Sequence, residues 1–188
     1  QWLADLRTDL SFPHSAGADA DVQVSHSPER VLPGRVLIEL VRNDRVIGGI
    51  SRHCAERTAE LYRSITDGTC HVTTARTAEL VKLMENAYRD VNIAFANEMS
   101  LVSDRLGINV WEAIDMANHH PRVNILQPGP GVGGHCIAVD PWFIIDGAPE
   151  DTALIRAARG VNNSKPGHVV TQVLDAAKKH AAPTIACL

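Results

Sequence analysis

The run GPGVGGHCIAVDPW, Gly129 to Trp142, places a cysteine, Cys136, directly behind a cluster of glycines and a carboxylate, Asp140, shortly after it. A thiolate is a nucleophile toward carbonyl carbon. The glycines permit positive φ and close backbone approach, which suits a loop that wraps a ligand or presents one side chain. The first six residues also satisfy G-x-G-x-x-G. That spacing cradles a dinucleotide pyrophosphate only where a strand precedes it and a helix opens behind it. Here Pro128 and Pro130 interrupt it, no strand precedes Gln127, and Cys136 to Phe143 reads as strand or loop with Pro141 inside it. The glycines are therefore expected to serve Cys136 rather than a dinucleotide. Composition leaves one bland alternative open, a buried and inert cysteine.

A second set of polar residues lies on a helix. Lys82, Asn86 and Arg89 fall at i, i+4 and i+7 and so share a face, while Leu80, Leu83, Met84, Ala87, Val91 and Phe95 point elsewhere. Amine, amide and guanidinium together can polarise an oxygen and hold a phosphate. The competing explanation is a solvated face carrying Glu79, Lys82 and Glu85 as helix pairs. His120 and Arg122, in HHPRVN, pose the same choice. His119, His120, His135 and Cys136 give no pair on one helix face, so no metal site is expected.

The elements that must position these groups follow from pattern. Residues 1–10 resemble the end of an amphipathic helix, and Asp21 to Glu29 alternates like a short strand. Arg45 to Ser51 predicts a buried strand, Cys54 to Ile65 a helix and Cys70 to Thr74 a further strand, a βαβ rhythm that implies parallel pairing. From Thr77 to about Leu106 no Gly or Pro occurs, which predicts one long helix stopped by Gly107. Asn109 to His120 predicts a helix capped by Asn109, and Glu150 to Asn162 and Gly167 to His180 two more. The last residues, APTIACL, predict a strand cut short. The fold class expected is mixed α/β, mostly helical, beginning in mid-domain: a C-terminal part of a Rossmann-type domain (1–75), an all-helical central domain with one long helix (76–181), and the first strand of a third domain (182–188).

With 188 residues, 45% of them hydrophobic, the chain suits a folded core, and its formal charge of −4 offers no basic field for nucleic acid or an anionic membrane. No apolar run reaches the length of a spanning helix, and the first ten residues lack a signal pattern, so a cytoplasmic location is expected. The four cysteines, Cys54, Cys70, Cys136 and Cys187, are scattered and predict free thiols.

GPGVGGHCIAVDPWF, together with SPERVLPG (Ser27 to Gly34), NDRVIGG (Asn43 to Gly49) and AELVKLMENAYRDVNIAFANEMS (Ala78 to Ser100), resembles the nucleotide-sugar 6-dehydrogenases. The likeness covers nearly the whole chain, with several motifs in the right order. It implies an NAD-dependent, four-electron oxidation of a sugar 6-hydroxyl to a carboxylate through a cysteine thiohemiacetal and thioester. His135 and IAVDPWF imply a UDP-N-acetylhexosamine substrate, first of all UDP-N-acetyl-D-mannosamine, for bacterial surface polysaccharide; UDP-N-acetylglucosamine and UDP-glucose are the alternatives. By the same resemblance Cys136 is the nucleophile, Lys82 and Asn86 stabilise the oxyanion, Asp140 supports base chemistry, and Glu29 is linked to the hydrolytic water. Arg30, Val31, Arg89, His120, Arg122 and Gly133 match positions that contact the nucleotide sugar. The resemblance also implies a homodimer through the long helix. The NAD turn and the UDP-binding domain are missing, so the chain alone is expected to be an inactive piece, the rival reading being a purely structural dimerisation module.

Overall fold

Polar caps and small residues set the elements of the computed structural model, which describes residues 2–186 in two compact units, 1–82 and 83–188. In the first unit, two short helices, α1 (Trp2–Leu6) and α2 (Pro13–Ala16), precede β1 (Ser25–His26), α3 (Val36–Arg42), β2 (Arg45–Gly49), α4 (Arg52–Arg63) and β3 (Cys70–Thr74). The sheet order is β1-β2-β3. β2 and β3 pair in parallel, with Arg45 opposite Cys70 and Gly49 opposite Thr74, so the expected βαβ unit is present. β1 pairs antiparallel to β2 and is shorter than its alternation suggests, running only to His26 before Pro28.

α4 begins where the Ser51 side chain accepts from the Cys54 N–H, and its Ala55 and Ala59 pack on Ile47 of the sheet. Burial raises the Cys54 thiol pKa, but hydrogen bonds from the Ser51 hydroxyl and nearby backbone outweigh this and leave it below the usual value. Gly48 and Gly49 make the close approach of helix and strand possible. A Cβ on Gly48 would lie 2.4 Å from the Thr74 carbonyl oxygen and 2.7 Å from the Ala78 Cβ. Gly48→Ala is therefore expected to cost about 2 to 3 kcal/mol, because backbone rather than a flexible side chain must give way. Urea denaturation of the chain measures it; a loss under about 0.5 kcal/mol would show that the sheet yields freely.

α5 (Ala75–Leu106) is the expected long helix, entered from β3 without a loop. In the second unit α6 (Val110–Asn118) starts where Asn109 accepts from the N–H groups of Trp111 and Glu112. Its Val110 and Ile114 pack with Ala96 and Ile125. α7 (Asp140–Gly147) and α8 (Ala153–Ala177) complete the chain. The structure is thus mostly helical with a small three-stranded sheet.

Three expectations are corrected. Cys136 to Phe143 is no strand: a turn follows Cys136 and α7 opens at Asp140, with Pro141 in its first turn, where a missing N–H costs nothing. The two C-terminal helices are one, α8, which continues through Pro166. The third concerns the strand expected in 182–188. Residues 182–186 form none, and Ala182 to Ile185 lie beside Val173, Ala176 and Ala177 of α8. Cys187 and Leu188 lie outside the described residues.

The candidate active site

Two left-handed glycines shape the loop that carries Cys136, Gly131 at φ +151° and Gly134 at φ +86°. Cys136 itself is exposed and unpaired, whereas Cys54 is buried and Cys70 half-buried. Composition left a buried cysteine open at position 136, and the side chain there is exposed instead. Just beyond it the Cys136 carbonyl accepts from the N–H groups of Val139 (3.0 Å) and Asp140 (2.8 Å), a tight turn that feeds directly into α7.

Asp140 reaches back to the long helix. The buried Asn86 side chain donates from Nδ2 to Asp140 Oδ2 at 2.5 Å. An ionised carboxylate can only accept, so this contact fixes the orientation of the Asn86 amide and leaves its second N–H for another acceptor. Lys82 and Arg89 share the helix face with Asn86, Lys82 half-buried and Arg89 exposed. The stripe is therefore graded from a buried amide to an open guanidinium. His120 and Arg122 are exposed on the loop after α6, where His120 Nδ1 accepts from the Arg122 N–H at 3.3 Å. That loop is closed by Asn118, whose side chain makes both backbone hydrogen bonds of Ile125. Gly133 is exposed with open space at its Cα.

The remaining candidates sit in the first unit. Glu29 Oε1 accepts from the N–H groups of Arg30 (2.7 Å) and Val31 (3.0 Å) and lies 3.6 Å from Arg45 Nη1. Arg45 is almost wholly buried, under the Tyr62 ring, and donates to the Leu40 carbonyl. Arg30 donates to the Asp44 carbonyl at 3.3 Å. So the candidates gather into two groups: Glu29, Arg30 and Val31 in one unit, and Asn86, Asp140 and Cys136 in the other.

A dinucleotide would need a Gly-rich turn between a strand and a helix. At the β2–α4 junction the glycines are instead taken up by packing, since a Cβ on Gly49 would lie 2.5 Å from the Ala55 nitrogen. This junction offers no pyrophosphate cradle. Among the described residues no three His, Cys, Asp or Glu side chains gather to hold a metal ion, and no helix is long and apolar enough to cross a membrane.

A buried polar cluster that residue pattern did not single out lies beneath the loop. Arg159 Nη1 donates to Asp90 Oδ1 at 2.6 Å. Asn162 donates to the same oxygen, Asn97 donates to Asn162, and the Gly129 N–H donates to Asn97. Lys165 donates to Ser100 at 2.6 Å; burial pushes its ammonium below the ordinary lysine range, with Asp104 opposing. The available signal was the spacing of Asp90 and Asn97, seven apart (97 − 90) and flanked by Ala87, Ala94 and Ala96, all buried. Small residues beside such a stripe bring a second helix close enough to bury it.

Residues 6–66 match the NAD binding domain of the UDP-glucose/GDP-mannose dehydrogenase family, and residues 76–164 match its central domain. An NDP-N-acetyl-D-galactosaminuronic acid dehydrogenase of Ralstonia solanacearum is 61% identical over 99% of this chain and 44% of its own length. A UDP-N-acetyl-D-mannosamine dehydrogenase of Campylobacter jejuni is 57% identical over 100% of this chain and 46% of its own. A solved UDP-D-ManNAc dehydrogenase of Pyrococcus horikoshii superposes with TM-score 0.81 and 50% identity, covering 86% of this chain and 38% of that one. The chain thus spans less than half the length of these relatives.

Proposed function

Given that the chain belongs to the UDP-glucose/GDP-mannose dehydrogenase family, we propose that the whole protein oxidises the 6-hydroxyl of UDP-N-acetyl-D-mannosamine to the uronate. The observation that carries this reading is the exposed Cys136 on a glycine-shaped loop whose far end is tied to Asn86 through Asp140. NAD supplies the hydride acceptor, taken up twice for the four electrons removed.

The chain's own residues do the rest. Lys82 and the second N–H of Asn86 stabilise the oxyanion that develops on the sugar C6 oxygen. The Cys136 thiolate adds to the aldehyde carbon, forming a thiohemiacetal; loss of hydride from that carbon leaves a thioester. Water adds to the thioester, the carbon–sulfur bond breaks, and the carboxylate departs with the thiol restored. Glu29, its carboxylate held by two N–H groups and Arg45, is the acceptor for that water's proton, and Asp140 orients Asn86. Arg30, Val31, Arg89, His120, Arg122 and Gly133 hold the nucleotide sugar. Exposed Met84, Tyr88, Phe95 and Val102 form an apolar stripe on α5, which supports dimerisation along that helix. The product serves surface polysaccharide synthesis, and the protein works in the cytoplasm.

The test is an NADH assay of the whole protein with the UDP derivatives of N-acetyl-mannosamine, N-acetyl-galactosamine, N-acetylglucosamine and glucose. The expected result is highest kcat/KM on the mannosamine derivative, with two NADH per acid as four-electron chemistry requires. Preference for the galactosamine derivative would move the substrate to that sugar; no UDP-sugar-dependent NADH would refute the reading.

A further inference from the structure

We infer that Asn97 is a positioning residue that locks the register of the Cys136 loop, through the one N–H that Pro128, Gly129 and Pro130 can offer between them. The inference rests on the proposed role of Cys136 and adds what holds that residue in place.

Asp90 is fully buried against Arg159, so its carboxylate can only accept. Asn162 must therefore turn its amide nitrogen toward Asp90, and it does, at 2.8 Å to Oδ1 and 3.0 Å to the carbonyl. Its own Oδ1 then faces Asn97 and requires a donor, supplied by Asn97 Nδ2 at 2.9 Å. Asn97 is left presenting Oδ1, an acceptor, to the loop. The polarity of the whole chain of amides is dictated from its charged end.

A buried acceptor selects an N–H, and the loop offers little choice. Proline has no N–H, so in Pro128–Gly129–Pro130 only Gly129 can donate, which it does at 2.9 Å. A slip of one residue in either direction would set a proline nitrogen against a fully buried oxygen. Leaving that acceptor unpaired disfavours the slipped registers by roughly 10- to 100-fold. Gly131 adds a second pin: a Cβ there would lie 2.8 Å from Pro166 Cγ, so the loop backbone is seated directly on α8. The Asn86–Asp140 bond holds the far end, and Cys136 lies between the two clamps. A one-residue slip moves the chain by about 3.5 Å, well beyond the roughly 1 Å misplacement that can cost about 100-fold in rate.

Two variants test this, each with two readouts. Asn97→Ala is expected to speed amide hydrogen exchange in residues 129–140 by about 10-fold or more, while exchange in α6 stays unchanged. In the whole protein it should lower kcat by about 100-fold and leave the KM for NAD within about 2-fold. Pro130→Ala leaves the buried amides intact and adds a competing donor. It should speed exchange over the same residues and lower kcat by about 5-fold or more, and it decides the matter if Asn97→Ala does not fold. Unchanged exchange over 129–140, acceleration spread evenly over α6 and α8, or a retained kcat in either variant would overturn the inference. The exchange arm needs no substrate. An unmutated protein with no UDP-sugar-dependent NADH would thus refute the proposed reaction, while the exchange data alone would decide the clamp.

Discussion

Cys136→Ser in the whole protein is expected to stop net acid formation, lowering it by roughly a thousandfold or more, as removal of a covalent nucleophile does. In the proposed mechanism the two half-reactions respond differently. The first hydride transfer needs an alkoxide at the sugar 6-position and the donors of Lys82 and Asn86, none of which the substitution removes. The second needs a carbon already bound to sulfur, and a serine hydroxyl near neutral pH is neither ionised nor able to give a thioester that water opens readily. Aldehyde captured by added hydroxylamine, without carboxylate, is the expected product pattern. The exposure of Cys136 makes the experiment clean, since serine there meets solvent and leaves no cavity. Acid formation within about 10-fold of the unmutated protein would exclude a covalent role for this sulfur.

The βαβ unit, the long helix α5 and the cap at Asn109 were legible because each is governed by local chemistry: alternation, absence of Gly and Pro, one side-chain oxygen. Proline misled in two places, for opposite reasons. Pro141 suggested loop where it opens a helix, its ring suiting the first turn. Pro166 suggested a break where α8 continues, and there the reason is tertiary: its ring fills the space above Gly131. The candidate site was legible to a comparable degree. Cys136 and Asn86 stood out by type and spacing and Asp140 by the family resemblance, and the structure joins Asp140 to Asn86. The cluster of Asp90, Asn97, Arg159 and Asn162 did not, because its members come from helices far apart in sequence and each alone resembles a solvated polar residue.

That cluster is also where the largest loss of stability is expected. Arg159→Met leaves the Asp90 carboxylate 0% exposed with Asn162 as its remaining side-chain partner, and should cost about 3 to 5 kcal/mol. Against a typical domain stability of about 5 to 15 kcal/mol this is a large share, so the urea midpoint should fall steeply with an unchanged slope. The pair itself is a different matter. Asp90 Oδ2 and Arg159 Nε are buried without hydrogen-bond partners, so the pair does not fully recover the cost of taking two charges out of water. Asp90→Leu combined with Arg159→Met should therefore be less destabilised than Arg159→Met alone, although Asn162 loses an acceptor. The double variant separates stability from positioning. Without the carboxylate only the backbone carbonyl of residue 90, 3.0 Å from Asn162 Nδ2, still sets which way the Asn162 amide faces, so the hold on Asn97 weakens and hydrogen exchange in residues 129–140 should quicken even where the urea midpoint recovers. A single variant costing under about 1 kcal/mol would show that solvent reaches Asp90, and the charged end would then exert no hold on the amides above it.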